Sequence, residues 1–320
     1  MKNVLIHSLS KFHKDKPFGN ERRNESFSVM LEQGKKEGFN VFLSRYEFFN
    51  RRNKQIKKAW VYKEGKWEKV YNKKIDLCFY HGKTQDINRE ATKIQKALNI
   101  PIINHMELEQ VCDDKLLTYN IFPELLPKTF LVNDHYELHR VLHYVRTEMV
   151  VLKPRYGSYG RGVMILPKNK LKNGILKDTI VQEFIDSSKG IFDIHSVHDL
   201  RVIIIDGKID HAYIRIPKQG SLISNATRGG KKIFIENSQI TSNIKRIIKK
   251  VDRHFQSYGA RVYSVDLAID KDNKPKVIEL NSKPNTLFYE EALQTRERFY
   301  KNIFKSLKQT MNNEIQAKVS

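Results

Sequence analysis

The residues richest in chemistry lie between 262 and 285, in VYSVDLAIDKDNKPKVIELNSKPN. Two β-rich runs flank a polar turn that contains proline, the pattern of a hairpin. Strand alternation puts Ser264, Asp266 and Ala268 on one face and Val265, Leu267 and Ile269 on the other. In the second run Glu279 and Asn281 share a face, with Ile278 and Leu280 opposite. A loop over 271–274 pairs Asp270 with Pro275 and sets Asp266 across from Glu279. Two carboxylates so placed repel. A divalent cation between them removes the conflict, and Mg²⁺ takes one or two carboxylates together with phosphate oxygens. The competing expectation is an ordinary solvated hairpin face. An EF-hand loop from Asp270 is excluded, since Pro275 stands where glycine is required and Asn281 where glutamate is.

A second stretch, MVVLKPRYGSYGRGVMIL at 149–166, ends a strand in Lys153-Pro154 and continues through Gly157, Gly160 and Gly162 into another strand. The spacing is neither GxxxxGK[ST] nor GxGxxG, and a strand rather than a helix follows, which argues against a P-loop or a Rossmann turn. Such a loop between antiparallel strands can fold over phosphates with its backbone N–H groups as donors, Lys153 neutralising charge at the strand end. A plain glycine-rich turn is the alternative. Arg201 and Arg215 sit within the apolar hairpin DLRVIIIDGKIDHAYIRIP, and an arginine there needs an anionic partner to offset its desolvation. SLISNATRGGKKI adds Asn225, Arg228, Gly229 and Gly230, a further loop suited to anions. His195 and His198, three apart with no adjacent third ligand, read as surface residues rather than a metal pair.

These residues need elements to hold them. A strand at 3–7, a helix at 24–37, the strand VFLSR, a hairpin turning at Glu64-Gly65, the strand DLCFYH, a helix at 88–98 and a strand at 101–105 alternate as in an open parallel sheet. Arg22, Arg23 and Asn24 fall in the first loop region, where a solvated loop competes with a substrate-binding one. Further on come a helix from Glu107 to Leu117, strands at KTFLV and TIVQEFI with a helix at 134–147 between them, and an amphipathic helix at 239–257. A tail helix with a basic face covers 289–312.

The chain has 320 residues, enough for two or three lobes. Its apolar runs are too short to span a bilayer, and its N-terminus lacks a signal-length core and a cleavage site. Cys78 and Cys112 offer neither a metal pair nor a disulfide framework, so a reducing cytoplasm is the expected setting. The net charge of +22 comes from 40 Lys and 18 Arg against 36 acidic residues. The lysines run from end to end, whereas a nucleic-acid footprint requires clustering.

In their order, DDKLLTYNIF, VLKPRYGSYGRGV, VQEFI, DLRVIIIDGKIDHAYIRIP, SNATRGG and VDLAID…VIELNSKPN resemble the ATP-grasp superfamily, and within it the RimK-like carboxylate–amine ligases. The resemblance covers about 107–290. It implies an α/β architecture with α+β lobes: an N-terminal open α/β pre-ATP-grasp domain at 1–108, a lid subdomain at 109–185 and a C-terminal subdomain at 186–320. Lys115 and Lys153 would contact ATP phosphates, and Gly157, Ser158, Tyr159, Gly160 and Gly162 would form the lid loop. Gln182, Glu183, Phe184 and Ile185 would supply the adenine hinge. Asp266, Glu279 and Asn281 would ligate Mg²⁺, with Mn²⁺ as a substitute. Arg215, Asn225 and Arg228 would contact the transferred phosphate or the substrate carboxylate, the two arginines as forks. The segment between Lys189-Gly190 and Asp199 is longer than in the compact RimK-like form.

The activity so implied is amide formation from a carboxylate and an amine through an acyl phosphate, on an amino acid or peptide with acidic forms preferred. No Ser, Cys or His nucleophile is called for, because positioning and charge neutralisation carry such a reaction. A kinase of the same fold, a nucleotide-binding scaffold of the spore-coat-associated kind and a nucleic-acid binder are the competing expectations. No membrane partner is expected, and a homo-oligomer is compatible with the sequence.

Overall fold

The computed structural model describes residues 1–8, 12–50, 52–81, 100–157, 160–171, 177–188, 194–224, 230–284, 288 and 292–319. The first strand, β1 (Lys2–His7), is followed by α1 (Glu21–Lys36) and β2 (Phe39–Ser44), which pairs with β1 in parallel. Helix α1 begins three residues before the expected start because Asn20 caps it, its side chain accepting from the Arg23 backbone N–H at 2.9 Å. Its apolar stripe buries Phe27, Met30 and Leu31. The short β3 (Phe49–Asn50) leads to a long hairpin, β4 (Gln55–Lys63) and β5 (Lys66–Lys74). Glu64 and Gly65 both take positive φ at its turn, as a two-residue type I′ connection demands.

Strands β6 (Leu77–Tyr80) and β7 (Ile102–Ile103) extend the parallel part, giving the order β3-β4-β2-β1-β6-β7 with β5 on the far edge of β4. Val4, Leu5 and Ile6 are fully buried, as befits a central strand covered on both faces. The helix expected at 88–98 lies outside the described residues.

The helix expected from Glu107 to Leu117 is two helices, α2 (Met106–Asp113) and α3 (Lys115–Ile121). Asp114 breaks it: its backbone is extended, and its Oδ1 accepts from the N–H groups of Leu116 and Leu117 at 3.0 and 3.2 Å. An antiparallel sheet follows, from β8 (Thr129–Val132), α4 (His135–Leu142), β9 (Met149–Pro154), β10 (Met164–Pro167) and β11 (Thr179–Glu183), in the order β10-β9-β11-β8. Helix α4 stops short of the expected 147, and Val145 joins the core beyond its end.

A second antiparallel sheet takes β12 (Asp199–Ile205), β13 (Lys208–Ile216), β14 (Lys231–Ile235), β15 (Val262–Ile269) and β16 (Pro275–Asn281), in the order β14-β13-β12-β15-β16. Helix α5 (Ser242–Phe255) precedes β15. All eight residues of β15 are buried, which rules out the solvated-face alternative. The register at the turn differs by one from expectation: Ile269, not Asp270, pairs with Pro275. An irregularity then lets Ile278 go unopposed, and Asp266 meets Glu279 after all.

The chain divides into two compact units, residues 1–109 with 255–262 and 283–320, and residues 110–254 with 263–282. The tail helix α6 (Leu293–Val319) therefore groups with the N-terminal residues, whereas the resemblance implied a C-terminal subdomain of 186–320 that contains it. It packs on α1: Tyr300 and Ser26 share a hydrogen bond of 2.6 Å, and Arg296 donates to Glu25 at 2.8 Å. No helix among the described residues is long and apolar enough to cross a membrane.

Gly34 is the point of closest approach. A Cβ there would lie 2.4 Å from Val41 Cγ2 and 2.5 Å from Phe304 Cζ. Gly34→Ala gains about 1 kcal/mol of helix propensity but overpacks the core at a cost of about 1–3 kcal/mol. The urea midpoint is expected to fall with the m-value unchanged; a midpoint that rises would show that α6 yields freely.

Candidate active site

The centre of the site is a buried charge cluster on one face of the five-stranded sheet. Asp266 of β15 receives Arg201 of β12 as a two-toothed fork, Nε to Oδ1 at 2.6 Å and Nη2 to Oδ2 at 2.5 Å. Arg215 of β13 adds Nη2 to the same Oδ2 at 2.7 Å and gives its Nε to Asp199 at 2.5 Å. Asn281 Nδ2 lies 3.4 Å from Asp266 Oδ2. The pairing register explains the convergence. Asp199 faces Arg215 across β12–β13, and Ser264 and Asp266 face Asn281 and Glu279 across β15–β16.

Lysines close the site from the other side. Lys153, at the end of β9, is buried and donates to two neutral acceptors, Gln182 Oε1 at 2.9 Å and the Ile278 carbonyl at 3.0 Å. That carbonyl belongs to the unopposed residue of β16, so the irregularity also sets the lysine's seat. Lys115 stands 3.5 Å from Glu279 Oε1 and donates to the Gly157 carbonyl at 3.0 Å. Asp114 holds this corner together: besides capping α3 it takes Arg155 through Nε at 2.9 Å and Nη2 at 2.7 Å, and the Tyr156 hydroxyl at 3.1 Å. The glycine loop thus leaves β9 from an anchored base. Gly162 has φ +71, and a Cβ there would meet Pro154 Cγ at 2.8 Å, so the loop's return needs glycine.

Electrostatics follow from this geometry. Burial pushes the Asp199 carboxyl up to about 6, with Arg215 opposing the rise. Burial acts on Asp266 in the same sense, but Arg201 and Arg215 outweigh it and hold that carboxyl below its ordinary value. Glu279 is also lowered, Lys115 overcoming its burial. Lys153 goes the other way: burial first, then the nearby charge of Lys115, brings it down to about 8.

Of the residues singled out in the sequence, Lys115, Lys153, Gln182, Arg215, Asp266, Glu279 and Asn281 are brought together. Gln182 serves as a bridge, its Oε1 on Lys153 and its Nε2 on Thr129 Oγ1 at 2.8 Å. Two hinge donors are committed inside the small sheet: Glu183 N–H to Lys128 O at 3.0 Å and Phe184 N–H to Thr147 Oγ1 at 3.3 Å. The Glu183 carboxylate accepts from Arg146 N–H. Arg215 does not stand ready as a fork for substrate, since two of its nitrogens already hold Asp199 and Asp266. Ser158, Tyr159, Asn225 and Arg228 lie outside the described residues.

Sequence reasoning missed Asp114, Asp199 and Arg155. An aspartate two residues before a leucine pair was a legible cap signal for the first, and Asp199 stands two residues before Arg201 at a strand start. The donor set of two carboxylates and one amide is of hard oxygens, which suits Mg²⁺ assisted by phosphate oxygens. Among the described residues no group of three or more His, Cys, Asp or Glu is arranged to hold a metal unaided. Four cations, Lys115, Lys153, Arg201 and Arg215, stand against three carboxylates, Asp199, Asp266 and Glu279, an excess that suits a polyanion.

Comparison with known proteins identifies the family and the fold. A RimK-like ATP-grasp domain model matches residues 113–298. A probable alpha-L-glutamate ligase of Vibrio vulnificus (strain YJ016) is 26% identical over 178 residues, covering 52% of this chain and 53% of that protein. One from Rhodopirellula baltica is 26% identical over 168 residues, or 50% and 38% of the two chains. The chain spans about half the length, or less, of the curated relatives it matches. Among solved structures, D-cycloserine synthetase DcsG aligns with TM-score 0.64 at 12% identity over 96% of this chain and 98% of its own. A Chryseobacterium gregarium RiPP-associated ATP-grasp ligase bound to ADP and to leader and core peptide aligns with 0.60 at 15%, covering 97% of each chain. D-alanine–D-alanine ligase from Bacillus anthracis, complexed with ATP, gives 0.60 at 17%, covering 98% of this chain and 99% of that one. These structural likenesses establish the ATP-grasp fold, and the domain match over more than half of the sequence shows that the chain belongs to the RimK-like ATP-grasp family.

Proposed function

We propose that the chain is an ATP-dependent carboxylate–amine ligase acting on an amino acid or a peptide. The observation that carries this reading is the meeting of Lys153 and Lys115 with Glu279 and Asp266 at the mouth of the glycine loop. A substrate carboxylate would take the γ-phosphoryl group of ATP and release ADP; an amine would then displace phosphate and form the amide. Lys153 and Lys115 would hold phosphate oxygens, and the backbone after Gly157 would cover them. Arg215 would offer what remains of its fork to the transferred group or the substrate carboxylate. Glu279, Asp266 and Asn281 would hold Mg²⁺, which when bound neutralises charge on the phosphates. The names of the curated relatives, glutamate ligases, support an amino-acid or peptide substrate. Release of ADP that requires both an acid and an amine, with the amide found by mass spectrometry, tests the reading; ADP release on the acid alone, with a stable phosphorylated product, would point to a kinase.

The two carboxylates make different tests. Glu279→Gln removes a charge from a partly open side chain and is expected to abolish turnover, a loss of several kcal/mol of transition-state stabilisation, about the weight of a metal clamp, while the melting temperature stays put. Asp266→Asn takes the buried carboxylate from Arg201 and leaves Arg215 with Asp199 alone, and is expected to lower stability as well, by about 3–5 kcal/mol. Wild-type ADP release from the Glu279→Gln protein would sink the assignment.

Lys153 predicts a pH dependence. Its ammonium, brought down to about 8, loses charge as pH rises through that value, and an uncharged amine holds phosphate less well. The dissociation constant for ATP measured without metal is expected to climb from pH 7 to 9 in the wild type. Lys153→Met should bind weakly and without that slope. A flat wild-type profile would remove Lys153 from the phosphate site.

An acidic substrate is the further expectation, since the net charge of +22 concentrates anions. Turnover on an acidic peptide should exceed that on its neutral amide, and the gap should narrow as salt rises, the field being screened over about 8 Å at physiological ionic strength. Equal rates on both peptides at every salt concentration would end the acidic preference and leave the ligase reading standing.

A further inference from the structure

Among the described residues the strand β5 is an edge: it pairs with β4 alone, from Lys63↔Lys66 to Lys58↔Tyr71 and again from Ile56↔Lys73 to Gln55↔Lys74, with a lapse at Asn72, whose φ is +52. Its other side therefore carries the alternating N–H and C=O groups that a further strand can match. The hairpin is held firmly from behind. Ala59 and Val61 of β4 are buried in a core with Leu5 and Phe42, and Val70 of β5 packs against the same cluster.

The hairpin that carries this edge is strongly basic, and β5 itself holds four Lys against one Glu. Residues 52–74 contain nine Lys and Arg against two Glu, a net +7 in 23 residues against +22 in 320. Lys66, Lys73 and Lys74 are exposed, and Tyr71 is 57% exposed. On one face aromatic and cationic side chains alternate: Trp67 meets Tyr62 edge-on with ring centroids 5.1 Å apart, and the Lys69 ammonium stands 5.0 Å over Trp60.

From this we propose that the free edge of β5 docks an extended acidic polypeptide segment, added as a strand. The two features select the partner jointly. An open ladder is matched by another main chain, which nucleic acid does not have. Lysines along it repel a second copy of the same strand and attract carboxylates placed opposite them. The proposal rests on the N-terminal unit alone and is independent of the ligase reading.

The test uses the full-length protein without nucleotide and a fluorescent nine-residue peptide of three Glu-Glu-Thr repeats, the length of β5, which presents carboxylates on both faces of an added strand. Its Gln/Thr counterpart, a version N-methylated at alternate amides and a thymidine oligonucleotide of equal charge complete the set. Saturable binding of the acidic peptide is expected, weaker by about tenfold or more for the Gln peptide and for the K66E/K73E protein, on the weight of charge pairs across an interface. N-methylation should abolish it, since main-chain hydrogen bonds carry strand addition. Both lysines are exposed, so circular dichroism of K66E/K73E should match the wild type. Equal binding by K66E/K73E, equal binding of the N-methylated peptide, or tighter binding of the oligonucleotide would each overturn strand docking. No binding at all would overturn it too, and would leave the lysines as guards against edge-to-edge association. ADP release is measured separately, so either idea can fail without the other.

Discussion

A carboxylate with almost no exposure to water, Asp266, has to be balanced where it sits, and the arrangement of the C-terminal sheet follows from that demand. Its side chain is 1% exposed, and two guanidinium groups from neighbouring strands close on it. Breaking such a pair is expensive, yet a buried ion cluster contributes little net stability compared with well-packed apolar residues of the same size. Packing alone therefore gives no reason to bury Asp199, Arg201, Arg215 and Asp266 side by side. What the cluster does provide is a fixed array of charges whose positions are set by strand register. Arg215 is shared between Asp199 and Asp266, so moving any one of β12, β13 or β15 unsettles the other two.

Lys153 stands in contrast to those arginines. Its hydrogen bonds run to an amide oxygen and a peptide carbonyl, which orient the ammonium without neutralising it. Burial then weakens its hold on the proton, and Lys115 weakens it further. An anion arriving beside it would repair the deficit, which is the condition of a binding site prepared in advance. Asp114 plays the supporting part. One carboxylate caps α3 and grips Arg155, so the helix that carries Lys115 and the strand that launches the glycine loop share an anchor.

Much of this was legible in the sequence where a rule of short period applies. Alternation together with an assumed loop at 271–274 placed Asp266 opposite Glu279, and the apolar setting of Arg201 and Arg215 announced that each needed an anion. What alternation does not carry is an unopposed residue. The register at Pro275 is off by one, and Ile278 makes up the difference, because nothing in the local pattern distinguishes a five-residue turn with an irregular strand from a four-residue turn with a regular one. The break at Asp114 was hidden for a related reason. Apolar residues continue at helical spacing across it, and a cap is visible only if the aspartate is read as a start rather than as a passenger. The placement of α6 lay beyond local reasoning, since its partner α1 is nearly the whole chain away.

The charge of the chain shows the same limit from another side. The lysines run from end to end of the sequence, which argued against a binding stripe although residues 52–74 are enriched in them. A hairpin folds sequence distance away: Lys63 pairs with Lys66 and Gln55 with Lys74, so lysines up to seventeen positions apart, such as Lys57 and Lys74, share one ribbon. The hairpin thus tightens in space a cluster already present over 52–74. The two populations of lysine then differ in kind. Lys66, Lys73 and Lys74 on β5 stand in water, able to act over distance but screened by salt. Lys153 is sheltered, and burial brings its ammonium down to about 8. A counting argument treats them alike. Burial is what separates them.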